Sequence, residues 1–287
     1  MKNSLSSSLK HPYIGIPALI WQLLFLYIPL LITIACSFLH ITDQGIQGLT
    51  LEKIKYFLTP LYLKVIGFSL LLAIVNATLC FLVGYPLAYF LAFTGKRFKN
   101  LLLFLLLIPF WTNFLLHVYA WFYVLEREGF INNLLIGWKI LKQPLTILYS
   151  PAAIMIMMLY FYLPFMVLPI YSSLERFNTS LIEASLDLGA SWWQTFRRII
   201  LPLTMRGVRA GFFLTYIPSF GEFVIPSLMG GDKMMFVGNI ISEFTLVEGS
   251  DSFGGAFVVI SCFILIATAL LFYKILGYSI QSRGKVK

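Results

Sequence analysis

Six apolar blocks dominate the chain, at about 14–39, 65–93, 101–125, 152–171, 208–229 and 253–275. Each supplies the roughly 20 residues a helix needs to cross a hydrocarbon layer about 30 Å thick. Inside that layer no water is present to bond an open N–H or carbonyl, so a spanning segment of this length is a helix. The sequence therefore predicts an all-α, polytopic membrane protein with six transmembrane helices, a single transmembrane domain over 1–287. The charge content agrees: 11% of residues are Asp, Glu, Lys or Arg, against about 25% in an ordinary soluble domain. The first block is longer than the apolar core of about 7–15 residues in a signal peptide, so it reads as an uncleaved span.

Six spans put both termini on one side. Thirteen Lys and Arg residues fall on that side: Lys2, Lys10, Lys96, Arg97, Lys99, Arg176, Arg197, Arg198, Arg206, Arg209, Arg283, Lys285 and Lys287. Seven fall on the other: Lys53, Lys55, Lys64, Arg127, Lys139, Lys142 and Lys233. The excess of basic residues in cytoplasmic loops then predicts cytoplasmic termini and a cytoplasmic stretch at 177–206. The net charge of +9 is thus spread along the membrane topology. It forms no basic face for nucleic acid, and membrane lipid is the expected surrounding. Cys36, Cys80 and Cys262 each sit in an apolar block without ligand spacing, as small hydrophobes do.

The longest polar interval in the second half contains residues 183–202, EASLDLGASWWQTFRRIILP. Glu183 and Asp187 are four apart and share one helical face, while Leu181, Ala184 and Leu188 share another. Gly189 suits a left-handed turn that ends a helix, and Ser191 is a good cap for a second helix. Pro202 has no N–H to donate and is expected to stop or restart the chain. The pattern predicts two short helices with a bend.

This stretch resembles the EAA loop of ABC-importer permeases, with Glu183, Ala184, Gly189, Ile199, Leu201 and Pro202 in register. Ser185 stands where the family usually has a second Ala, and its small size leaves room for a partner's close approach. The strings PFWTN at 109–113 and LPFMVLPIYSSLE at 163–175 are similar to the spermidine/putrescine branch of that family. The resemblance runs from about residue 61 through the last span. It implies the fold of type I importer permeases of the MetI-like kind and a bacterial inner membrane location. It also implies a second, homologous permease and two copies of an ABC ATPase that dock against the loop. A periplasmic or surface-anchored polyamine-binding protein would complete the machine. ATP and Mg would belong to the ATPase. No G-x-x-x-x-G-K-[ST] loop occurs here and no cofactor is expected in this chain.

Glu222 is the only acidic residue well inside an apolar block. An ionised carboxylate at the centre of a span costs about 2.5–3.5 kcal/mol on insertion scales, so it should face a cavity or a cation. One reading makes it a counter-charge for a polyamine ammonium; the other makes it a structural hydrogen bond or an ion pair with the partner permease. Trp111, Tyr119, Tyr160, Tyr162 and Phe220 lie near spans interrupted by Pro or Gly, where cation–π contacts worth about 0.5–2 kcal/mol would suit the same cargo. Packing and interfacial anchoring are the competing account of each. Asn76, Asn113 and His117 read as hydrogen-bonding residues between helices. Trp192 and Trp193 read as anchors against the ATPase or against the chain's own helix ends. Residues 129–138 and 236–246 read as short interfacial helices.

No GxSxG, HExxH or catalytic carboxylate pair is present, so the chain reads as a transporter subunit without a catalytic site of its own. Two alternatives stay open: a permease for another small solute, and a secondary carrier working without ATP. Against the carrier, neither repeat symmetry nor coupling-ion carboxylates are evident.

Overall fold

The computed structural model describes residues 15–42, 45–93, 98–231, 234–249 and 251–281. Lys2, Lys10, Lys96, Arg97, Lys233, Arg283, Lys285, Lys287 and the first residue of the first block lie outside them. The all-α expectation holds, with one unanticipated addition, a two-stranded antiparallel hairpin of β1 (Leu39–Thr42) and β2 (Gly45–Leu49). The chain divides into two compact units. One comprises Met1–Pro60 with Ile241–Ser261, and the other Leu61–Ile240 with Cys262–Lys287.

In the first unit, α1 (Ile16–Gln22) and α2 (Ile28–Phe38) form one run of helix through a π-helical turn, Leu23–Tyr27. That turn precedes Pro29. A proline in a helix clashes with the carbonyl four residues back and offers it no N–H. Widening the preceding turn so that Ile28 bonds the carbonyl of Leu23 lets the helix continue. Its apolar side chains from Ile16 through Ile32 are exposed on every face, as suits a helix that meets lipid or a partner chain. Its last carbonyls are satisfied by Lys53 of α3 (Glu52–Phe57), whose ammonium donates to Cys36 O at 3.2 Å and Leu39 O at 2.8 Å. Phe57 is fully buried among the rings of Phe244, Phe253 and Phe257.

The second unit is built around α8 (Pro151–Glu175), with Met157, Met158, Met166, Val167, Ile170 and Leu174 all fully buried. Its main neighbour is α11 (Leu201–Phe220). Gly207 and Gly211 let the two backbones meet: a Cβ on Gly207 would strike the Pro169 carbonyl and Ser173, and one on Gly211 would lie 2.9 Å from the Met166 carbonyl. Small residues four apart are the usual means of close helix approach in lipid. Against these pack α4 (Pro60–Phe93) and, from Cys262 onward, α14 (Asp251–Gln281). Tyr85 shares a 2.8 Å hydrogen bond with Thr204, Tyr216 another with Thr268, and Arg209 donates to the carbonyl of Leu276.

Among the described residues four helices are long and apolar enough to cross a membrane: Ile16–Phe38, Pro60–Phe93, Pro151–Glu175 and Ser252–Gly277. The third and fifth blocks are bent pairs. In one, α5 (Lys99–Trp111) turns through 100° into α6 (Phe114–Leu125) and α7 (Phe130–Gly137). In the other, Trp192–Phe220 turns through 64° into α12 (Val224–Gly230). Proline alone does not make these breaks, because Pro86, Pro164 and Pro169 sit inside continuous helices. At each break a residue four positions after the proline starts a new helix with its side chain. Asn113 Oδ1 accepts from the amide of Leu115 at 2.8 Å, and Glu222 does the same work for α12. Such a cap is worth about 0.5–2 kcal/mol.

Candidate functional site

Residues 177–206 fold as expected into two helical arms. The first arm is α9 (Ser180–Asp187), which runs to Leu188 and is ended by Gly189 at φ +79°. The amides of Gly189 and Ala190 turn back to the carbonyls of Leu186 and Ser185. A Cβ at Gly189 would touch nothing, so the demand for glycine comes from the left-handed backbone and not from crowding. The second arm is α10 (Trp192–Thr195), opened by a full capping box. Ser191 Oγ accepts from the Gln194 amide, and Gln194 Oε1 accepts from the Ser191 amide at 3.0 Å.

Pro202 departs from its expected role. Helix runs from Trp192 to Phe220 without a stop, because the turn before the proline, Phe196–Ile200, is π-helical and Leu201 bonds back to Phe196. This is the adjustment already met before Pro29. Ser185 also differs from expectation. It is buried, and its hydroxyl donates to Ile182 O and shares a 2.8 Å hydrogen bond with Thr195 Oγ1. Its small size serves the approach of α9 to α10. The face of α9 expected to be apolar points outward: Leu181 and Ala184 are exposed, and Leu188 is 87% exposed. Glu183 is exposed too, while Ile199, Leu201 and Pro202 are half-buried. Trp192 and Trp193 stack on Phe196 and remain more than half exposed. The loop thus holds its bend and offers an open surface of two carboxylates, Glu183 and Asp187, with small residues, leucines, indoles and the side chains of Arg197 and Arg198.

Glu222 stands in the break between α11 and α12, half-buried. Its Oε1 accepts from the amides of Phe223, Val224 and Ile225 at 3.2, 3.1 and 3.4 Å. Its Oε2 accepts from the hydroxyl of buried Tyr162 on α8 at 2.8 Å. All four donors are neutral, so none of them cancels the carboxylate's charge. Among the described residues no basic side chain forms an ion pair with it; the one ion pair among them joins Lys99 to Glu175. α4 steadies the turn before the break, where buried Asn76 donates to Ser219 at 2.8 Å.

Of the aromatic candidates Tyr162 meets Glu222 through its hydroxyl, and the others do not gather there. Phe220 is buried, 4% exposed. Trp111 and Tyr119 are exposed, the former edge-on to Phe104. Tyr160 is half-buried, with its hydroxyl 3.0 Å from His117 Nδ1 and its ring beside Trp121. His117 Nε2 meets Thr112, whose hydroxyl also donates to the Pro109 carbonyl left open at the break. His117, Asn113 and Asn76 are therefore each committed to hydrogen bonds within the chain.

Sequence reading missed the Tyr162–Glu222 bond, the Gly207/Gly211 contact and the role of residues 236–240, where α13 (Val237–Ser242) begins. The four-residue spacing of the two glycines was a readable signal. Nothing local announces that Tyr162, sixty positions away, would meet Glu222.

A family model described as binding-protein-dependent transport system inner membrane component matches residues 84–282, more than half of the chain. The spermidine/putrescine transport system permease protein PotB of Escherichia coli (strain K12) is 40% identical over 255 residues, covering 88% of this chain and 92% of that one. The spermidine/putrescine transport system permease protein PotC of the same organism is 31% identical over 214 residues, covering 72% and 73%. The crystal structure of a bacterial ABC transporter involved in the import of the acidic polysaccharide alginate superposes with a TM-score of 0.73. It covers 96% of this chain and 95% of that one at 16% identity, a likeness of fold alone.

Proposed function

The chain belongs to the binding-protein-dependent transport system inner membrane component family, and from that premise we propose that it is the permease subunit of an ATP-driven importer of spermidine, putrescine or both. The observation that carries this reading is the 40% identity to PotB over 88% of the chain. The similarity to PotC supports a second, homologous permease as the other half of the pathway. Two ABC ATPases dock against residues 183–202, with ATP and Mg held by them and not by this chain. A periplasmic or surface-anchored binding protein delivers the cargo. Each bent pair counts as one span, which makes six, with both termini in the cytoplasm as the Lys and Arg distribution requires.

Coupling follows from continuity. The second arm of the loop and α11 are one helix from Trp192 to Phe220, about 43 Å long at 1.5 Å per residue. A push on Trp192 and Trp193 by a closing ATPase moves the far end of that rod, where Glu222 stands. A polyamine entering a low-dielectric path loses hydration and needs a compensating charge. Glu222 supplies it through Oε2, the oxygen with a single hydrogen-bond donor.

The test is the complete complex in liposomes. Wild-type complex hydrolyses ATP faster with loaded binding protein and takes up labelled spermidine. Glu222→Gln assembles normally and loses about tenfold in uptake, while Glu222→Asp keeps more. Stimulation by another solute and not by polyamines overturns the substrate, and near-wild-type uptake by Glu222→Gln removes Glu222 from the path. Orientation is checked on intact cells. With the native cysteines replaced, a cysteine at Leu246, 76% exposed, reacts with an impermeant maleimide, and one at Lys287 does not.

A further inference from the structure

The segment 236–240 lies directly on the break that carries Glu222. Gly238 is the point of contact. A Cβ there would sit 2.5 Å from the Gly221 carbonyl, 2.8 Å from Phe223 Cβ and 3.0 Å from the Glu222 carbonyl. Phe236, Val237, Gly238 and Ile240 are buried, and the Val237 amide donates to Ser69 Oγ of α4 at 2.9 Å. α4 therefore holds both sides of the break, through Asn76 on Ser219 and through Ser69 on Val237.

Asn239 closes the arrangement with two arms. Its Oδ1 accepts from the Phe236 amide at 3.2 Å, which caps the start of its own helix. Its Nδ2 reaches across to α12, donating to Ser227 Oγ at 2.6 Å and to Phe223 O at 3.4 Å. Ser227 Oγ in turn donates to Phe223 O at 2.7 Å. The carbonyl of Phe223 thus gathers the cross-link, while its amide is one of the three that hold Glu222 Oε1. A side-chain amide with both ends engaged fixes orientation better than either bond alone.

We propose that Asn239 is a positioning residue whose Nδ2 arm latches the segment 236–240 to the first turn of α12, so that the two move together and carry Glu222 with them. The importance given to Glu222 rests on the proposed polyamine transport. On that reading the segment faces the side from which the binding protein delivers cargo. A shift imposed there passes through Gly238 and Asn239 to the carboxylate without crossing the rest of the bundle.

Asn239→Asp separates the two arms, since a carboxylate keeps the acceptor for Phe236 and loses the donor to α12. Ser227→Ala removes the receiving hydroxyl from the other side without adding charge. Both are prepared in the full complex in lipid nanodiscs, with spermidine and the binding protein as probes. Amide hydrogen exchange at 223–225 should quicken about five- to tenfold in both variants, the opening expected from one lost bond of this kind, with α8 unchanged. Uptake should lose about fivefold in kcat, with the KM for the binding protein unmoved, because the arm transmits and does not dock. Wild-type exchange and uptake in both variants overturn the latch and leave Asn239 as a cap of its own helix. A KM rise without a kcat change overturns it in favour of a docking contact. Should the wild-type complex ignore spermidine, the polyamine reading fails, and exchange at 223–225, which needs no cargo, still decides the latch.

Discussion

The bend in residues 183–202 and the break at 221–223 both interrupt helix, yet they are held in different ways. In the first, the bend itself is set locally: Gly189 turns the backbone, Ser191 and Gln194 cap each other, and Ser185 reaches Thr195 ten positions on, while α4 adds only the edge-on rings of Tyr85 on Phe196 and Tyr89 on Trp192. Its surface is left open, with Leu188, Trp192 and Trp193 largely exposed. In the second, the restraints come from afar. Tyr162 is 60 positions from Glu222, Asn76 is 143 from Ser219, and Ser69 is 168 from Val237. The bend of the first is shaped by its own residues, and Phe196 and buried Ile200 anchor it to the bundle. A segment whose position must respond to the bundle is tied to several helices at once.

The comparison can be broken by substitution, and the largest effect is expected at Gly189. A β-branched side chain at φ +79° costs about 1–3 kcal/mol of backbone strain. Gly189→Val should insert at normal levels and lose more than about tenfold in uptake, while Gly189→Asn, which tolerates that backbone, keeps most of it. Normal uptake by the valine variant, with normal ATPase pull-down, would mean that the bend is dispensable.

Tyr162→Phe comes next. It deletes the one donor to Glu222 Oε2 from another helix and leaves the three amides on Oε1. Uptake should fall about threefold to tenfold, the cost of one hydrogen bond to a charged group discounted for half-burial. An unchanged rate would show that the amides alone place the carboxylate.

Asn76→Ala tests the distant support. Polar contacts between helices in lipid average about 0.6 kcal/mol, and a chain of this size should lose about 2–4 °C in Tm per kcal/mol. A fall of about 1–2 °C, with faster exchange at the end of α11, is expected in purified protein. No change in either would show that the break does not depend on α4.

The smallest effect is expected at Ser185. Losing its hydroxyl removes one bond inside a loop already fixed by Gly189 and the capping box, so Ser185→Ala should keep uptake within about twofold of wild type. A collapse of uptake would show that the two arms need the clip.

Reading succeeded where the physics is short-ranged. The bend at Gly189 and the cap at Ser191 are both visible in the sequence, because a glycine's freedom and a serine's reach act within a few residues. Pro202 defeats such reading because a proline's clash has two relaxations, a stop or a widened turn, and the sequence does not choose between them. The same limit applies to the breaks. Ser173 follows Pro169 by the spacing that Asn113 and Glu222 show after their prolines, yet α8 runs on, with Ser173 packed where α11 approaches at Gly207. Phe220 shows it once more, an aromatic near a break whose ring lies in the core.

By itself the sequence determined the solvent of this protein, its helical class and the bend of residues 183–202. Block length and the lack of water in lipid leave a spanning segment one conformation, and the loop's signals are complete within about twenty residues. Tertiary structure alone decided which prolines break a helix, that the carboxylate of Glu222 caps α12 under the hydroxyl of Tyr162, and that Gly238 rests on the break. Each of these depends on which distant group fills a given bond or a given space. That pairing is fixed only when α4, α8, α11 and the segment 236–240 pack together.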